Sequence, residues 1–167
     1  LIAYDARDDA HAWRLCEEGL RSLPPGDGAI VRSRTLRVLT DLALRQKQFD
    51  QAAEFCQQAQ AANQSVNDPT ELAAILYAQA KLDLFLGNYA AALPNAHRSA
   101  QLYAAMGDRK AVAIIYDAIS RIHVGQQDIA AARATAEESL EIARQLDDAD
   151  LLEMCRRQLD KVHQLVA

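Results

Sequence analysis

Residues 86–92 read Leu86-Gly87-Asn88-Tyr89-Ala90-Ala91-Ala92. A helical run stops at Gly-Asn, an aromatic follows, and an alanine-rich helical run begins. The same pattern stands one period earlier as Gln46-Lys47-Gln48-Phe49-Asp50-Gln51-Ala52 and one period later as Gln126-Gln127-Asp128-Ile129-Ala130-Ala131-Ala132. Phe49, Tyr89 and Ile129 are 40 residues apart (89 − 49 = 129 − 89 = 40). A fixed period of this size marks a stacked array of structural repeats.

The register extends well beyond the turns. Ala12, Ala52, Ala92 and Ala132 share one column; Cys16, Cys56, Ala96 and Ala136 a second; Gly19, Ala59, Ser99 and Ser139 a third. These are small residues on one face of the second helix in each pair, where two helix axes can approach closely. Leu42, Leu82, Ile122 and Val162 are the large counterparts on the first helix. Asp68, Asp108 and Asp148 stand at the joints between pairs, where a carboxylate can cap the next helix.

Apolar spacing and breakers predict helices from Asp8-Asp9, taken as capping carboxylates, to about 23, then over 29–46, 50–65, 70–86, 89–106, 109–125, 129–146 and 151–166. Residues 1–7 read as the end of a preceding helix, Pro24-Pro25-Gly26-Asp27-Gly28 as a loop, and Gly125 to Asp128 as a turn. Pro94 falls in the first turns of its helix, where the missing N–H costs little. No strand pattern competes with these assignments.

Composition agrees. Of 167 residues, 50% are apolar but only 5% aromatic, so alanine and leucine carry the core, which suits packed helices better than a sheet sandwich. The formal charge of −5 speaks against nucleic acid, whose non-specific binding needs a basic surface. Three cysteines without CxxC spacing suit a reducing cytoplasm. No apolar run reaches the roughly 18 residues of a membrane span, and a start at Leu1 reads as a piece of a longer protein.

The hairpin Gly87-Asn88-Tyr89-Ala90-Ala91-Ala92, the small residues Thr40, Ala80 and Ser120 and the columns above resemble the tetratricopeptide repeat family over nearly the whole chain. The pitch of 40 exceeds the usual unit of about 34, and the usual joint proline occurs only at Pro69. Longer units of this kind resemble repeats of bacterial multidomain regulators: ATP-dependent transcription activators, phosphatase and peptide-receptor regulators, and sensor regions of nucleotide or diguanylate cyclases. The resemblance implies an all-α solenoid of antiparallel helix pairs forming a right-handed superhelix in one domain: a broken pair over 1–28, repeats over about 29–68, 69–108 and 109–148, and a capping helix over 149–167. Arg156, Arg157, Asp160, Lys161 and Gln164 fit the polar outer face of that cap, whereas Leu1, Ile2, Tyr4 and Trp13 would leave apolar surface at the front.

In this family the first helix of each pair lines a concave groove. The residues implied to face it are Arg34, Arg37, Asp41, Tyr77, Lys81, Phe85, Asp117, Arg121, Arg157 and Lys161, with Ala74 and Ile114 completing the columns. The set is mostly basic within an acidic chain, which suits an acidic or C-terminal peptide segment. Singly, each residue is also what a solvated helix face would carry. The asparagines of the family's carboxylate clamp are missing, so that ligand is not implied. His123 and His163, one period apart, read as packing or surface histidines, and Cys16 and Cys56 as packing residues. No phosphate loop, nucleophile elbow or HExxH motif is present, and Glu17-Glu18 and Glu137-Glu138 read as solvated surface. The expectation is therefore a non-enzymatic, cofactor-free module of a bacterial cytoplasmic regulator that binds a protein, a peptide or its own effector domain, without membrane or direct nucleic-acid contact. A receptor switch for a short signalling peptide and a homodimer through the N-terminal helices stay open as alternatives.

Overall fold

The computed structural model describes residues 6–24 and 28–165, and among these it contains eight α-helices and no strand. They are α1 (Ala6–Ser22), α2 (Ala29–Arg45), α3 (Phe49–Val66), α4 (Pro69–Phe85), α5 (Tyr89–Ala105), α6 (Arg109–Gly125), α7 (Ile129–Leu146) and α8 (Ala149–Gln164). The expectations for Leu1, Ile2 and Tyr4, and for Pro25 to Asp27, lie outside the described residues. No helix among the described residues is long and apolar enough to cross a membrane. The chain falls into two compact units, Leu1–Leu82 and Asp83–Ala167, the division lying inside α4.

The 40-residue period is built from two joints spaced by 20. Lys47, Asn67, Gly87, Gly107, Gln127 and Asp147 all take positive φ, between 52° and 77°. At four of them the helix closes in the same way. Gln48 N–H donates to the Ala43 carbonyl at 2.9 Å and Lys47 N–H to Leu44 at 3.2 Å; the pairs Asn88/Asp83 and Gly87/Leu84, Asp108/Tyr103 and Gly107/Ala104, and Asp128/His123 and Gln127/Val124 repeat it. This is the double closure of a Schellman cap, which needs one left-handed residue. Glycine takes that conformation freely, whereas Lys47 and Gln127 do so at a cost of about 1 kcal/mol. Helices α3 and α5 then start on Gln48 and Asn88 without a side-chain cap, whereas α4, α6, α7 and α8 start on an acid. Asp68, Asp108 and Asp148 accept from the backbone N–H groups of Glu71, Ala111 and Leu151 as expected, and Asp128 does the same for Ala131.

In unit 1, α2 packs on α1 and intimately on α3. Ala52, Cys56 and Ala59 on α3 are at most 1% exposed, and at this crossing Ser33 donates its hydroxyl to the Ala59 carbonyl at 3.0 Å. Trp13 meets Phe55 edge-on at 5.6 Å. On α1 the equivalent small positions are more open: Ala12 and Cys16 are half-buried and Gly19 is exposed. Asp8 and Asp9 lie inside the first turn of α1 and not ahead of it. Asp9 is buried and pairs with Arg45 at 2.9 Å, so it ties α1 to α2.

In unit 2, α6 contacts α5, α7 and α8, and α7 contacts α8. The α6–α7 crossing repeats that of α2 and α3 with the hydroxyl on the opposite helix: Ser139 donates to the Ala113 carbonyl at 2.8 Å. Ser120 donates to the Ala132 carbonyl at 2.8 Å. Pro94 is the sixth residue of α5, beyond the four N–H groups that a helix start leaves unpaired, so it removes an intrahelical bond to the Ala90 carbonyl. Ala90 and Pro94 are both exposed. On α8, Arg156, Arg157, Asp160, Lys161 and Gln164 are all exposed.

Gly125 is not part of a turn. It is the last residue of α6, and a Cβ there would lie 2.3 Å from Cε1 and Cζ of the Tyr89 ring. The glycine is the seat on which Tyr89 rests. Gly125→Ala is expected to cost about 1–2 kcal/mol by displacing the ring. In a Tyr89→Ala background the same change should stabilise by up to about 1 kcal/mol, through the better helix propensity of alanine. Denaturant unfolding of the four proteins measures this coupling; a substitution effect of the same sign in both backgrounds would refute the contact.

Candidate functional site

Helices α2 and α4 of unit 1 are cross-linked side to side, and in unit 2, α6 packs on α8; the residues on these faces differ in kind. In unit 1 the basic row is neutralised from within. Glu71, on the first turn of α4, has a side chain only 3% exposed and receives Arg37 Nε at 3.1 Å, Arg34 Nε at 3.8 Å and the Ser33 hydroxyl at 3.3 Å. Arg34 also reaches Asp68 at 3.6 Å. One helical turn from the other end, Lys81 Nζ lies 2.5 Å from Asp41 and 4.9 Å from the centre of the Tyr77 ring. Arg34 is exposed, while Arg37, Asp41, Tyr77 and Lys81 are half-buried. The structure brings these five together, but as a cross-linked face whose cations already have acids.

Unit 2 has the opposite arrangement. Arg121 at the end of α6 and Lys161 on α8 are exposed, and neither has an ion-pair partner among the described residues. Both line a cleft of about 300 Å³ whose other walls are Leu84, Tyr89, Val124, Gly125, Gln158 and Leu165. Gln158 is buried and is fixed by donating from Nε2 to the Ser120 hydroxyl at 3.2 Å. Leu165 is 56% exposed, so the cleft offers apolar surface beside the two cations.

Asp117, on α6 one turn before Arg121, is 8% exposed. Burial pushes its carboxyl up to about 6, against the pull of Arg121 and Lys161. On α8, Cys155 is buried, touches the Ser139 hydroxyl at 3.0 Å and has its thiol pushed upward, first by burial and further by the charge of Asp117. Such a thiol is a poor nucleophile. Cys56 is likewise buried and Cys16 half-buried, in line with packing. Arg157 pairs with Glu153 on its own helix at 2.8 Å. Phe85 is 51% exposed at the end of α4.

His123 acts electrostatically on His97 of α5, whose imidazole is held below its ordinary range first by burial and then by His123. No group of three or more His, Cys, Asp or Glu able to hold a metal occurs among the described residues.

Glu71 and Gln158 were not singled out by sequence reasoning. The signal for Glu71 was present: Asp68-Pro69-Thr70-Glu71 has the spacing of a capping box. Asp68 does cap, but the Glu71 side chain turns to Arg37 and Ser33, and Asn63 Oδ1 takes the Asp68 N–H instead at 3.3 Å. Gln158 carried no pattern at all, because its value lies in a fold contact with Ser120. No protein-family model matches the chain, and no curated protein matches it significantly.

Proposed function

We propose that the chain is a tetratricopeptide-like repeat module, a right-handed solenoid of helix pairs, that binds an extended peptide segment of a protein partner along its first helices as the regulatory part of a larger bacterial protein. The observation that carries the reading is the contrast along that face. The helix crossings are filled by small residues and hydroxyls, while Arg121 and Lys161 are left accessible beside apolar walls. Rigid helices with an accessible, chemically mixed face suit recognition of an extended chain. The positive cluster selects acidic segments by charge-assisted hydrogen bonds.

Thermal melting with short acidic and short basic peptides tests it. Acidic peptides are expected to raise the melting temperature by mass action, basic ones to leave it unchanged, and Arg121→Glu to abolish the rise. Arg121 is a cleaner choice than Lys81, whose reversal would also break its pair with Asp41. Equal or absent shifts with both peptide classes would remove the reading.

A further inference from the structure

We propose that a cleft in unit 1, between α1 and the turn from α2 to α3, binds a neutral sugar ring, stacked on the Trp13 indole and held at its hydroxyls by the amides of Gln46, Gln48 and Gln51. This goes beyond the peptide reading and does not depend on it. The cleft has a volume of about 430 Å³, within the range of ligand pockets, and is lined among the described residues by Ala10, Trp13, Arg14 and the three glutamines. Ala10, Trp13 and Arg14 stand three and four apart and so share one face of α1. The indole is fixed before any ligand arrives, because its Nε1 donates to Glu17 at 2.9 Å and Phe55 meets the ring edge-on. With its N–H spent, Trp13 offers a ligand only ring surface, whose negative face attracts C–H groups. The amides are available: Gln48 precedes α3 without capping it, and none of the three glutamines makes a side-chain hydrogen bond among the described residues. Each amide both donates and accepts, which matches hydroxyl groups. No carboxylate lines the cleft among the described residues, so a cationic ligand would meet only the guanidinium of Arg14. A ring with C–H groups on its face and hydroxyls at its edge satisfies the indole and the amides together. The repeat itself does not ask for these side chains. One, two and three periods beyond Trp13 stand Ala53, Leu93 and Arg133, and one and two periods beyond Gln51 stand Ala91 and Ala131.

Trp13 is the single tryptophan of the chain, so its emission reports on this cleft directly. Titrating the whole chain with cellobiose, lactose and N,N′-diacetylchitobiose tests the proposal. At least one of them is expected to change that emission saturably, with a dissociation constant of about 1 mM, as suits a single ring in an accessible cleft. Sorbitol carries similar hydroxyls on an open chain without a ring face, and should give no saturable change at the same concentrations. Gln46→Ala and Gln51→Ala together should weaken the sugar about tenfold, as befits two lost hydrogen bonds. They should not lower the melting temperature, because both side chains are exposed. Gln126→Ala, at the turn from α6 to α7, should bind as the unaltered protein does. No saturable change with any of the three sugars, an equal change with sorbitol, or undiminished affinity in the double variant overturns the proposal. Adenosine binding by calorimetry at least as tightly as the best sugar also overturns it, in favour of a nucleobase on the indole.

Discussion

Glu71→Ala is expected to lower the folding stability of unit 1 by about 3–5 kcal/mol, the usual cost of removing one member of a buried charge cluster. The carboxylate is 3% exposed and lies between Arg37 at 3.1 Å and the Ser33 hydroxyl at 3.3 Å, with Arg34 at 3.8 Å. Truncation leaves Arg37, itself only 26% exposed, with a guanidinium that solvent reaches poorly. It also leaves a void at the contact of α4 with α2. Ser33 loses less, because its hydroxyl keeps the Ala59 carbonyl at 3.0 Å. Glu71→Gln should therefore be milder, by about 1–2 kcal/mol, since the amide oxygen can still accept from Arg37 while the amide nitrogen faces other donors. Trp13 is the single tryptophan of the chain and packs against Phe55 in unit 1, so its fluorescence in a denaturant titration reads this unit directly. A loss below about 1 kcal/mol for Glu71→Ala would mean that water replaces the carboxylate at little cost and that the cluster is a surface feature.

That cluster also shows where sequence reading stops. The helices and their crossings were legible because they follow from local, repeated chemistry. A small residue every 40 positions marks a close crossing, and Leu42, Leu82, Ile122 and Val162, expected as its large counterparts, are all at most 2% exposed. The joints were legible at Gly87, where glycine advertises positive φ, but hidden at Lys47 and Gln127, which adopt it because the flanking helices require it. Gly125 shows the reverse error. Its sequence context suggests a turn former, whereas its missing side chain serves the Tyr89 ring. The charge state of the face was least legible. Columns of Arg34, Arg37 and Lys81 give the sign of each residue, but whether a cation is free depends on acids brought by other helices, and Glu71 and Asp41 occupy all three. Arg121 and Lys161 belong to the same columns and make no ion pair among the described residues, although both act on the buried Asp117.

Asp117 is the exception within that last group, and its substitution carries the second large effect. The carboxyl is 8% exposed and its pKa stands at about 6, chiefly through burial. In the unfolded chain an aspartate titrates near 3.9. Because the folded value is the higher one, the folded state holds the proton more tightly, and ionising Asp117 weakens the fold. The contribution of this group to stability is therefore fully present below about pH 4 and is lost as pH rises through 6. The difference of about two pKa units corresponds to roughly 3 kcal/mol, an order-of-magnitude figure for a buried group. Asp117→Asn keeps the shape and removes the charge, so it should stabilise unit 2 by about 2–3 kcal/mol at pH 8 and by almost nothing at pH 4. Comparing the denaturation midpoints of the two proteins across that range cancels the other carboxylates, which titrate alike in both. A difference that stays constant with pH would show that Asp117 ionises as in water. The charge has a second consequence, because Arg121 and Lys161 are the cations that act on it and both line the cleft. While Asp117 is ionised it offsets part of their field. When it takes up a proton the two cations act undiminished, while the carboxylates of an acidic segment, with pKa values of about 4, are still mostly charged at pH 5. Affinity for such a segment should therefore rise as pH falls from 7 towards 5, and Asp117→Asn should hold the high-affinity state at both values.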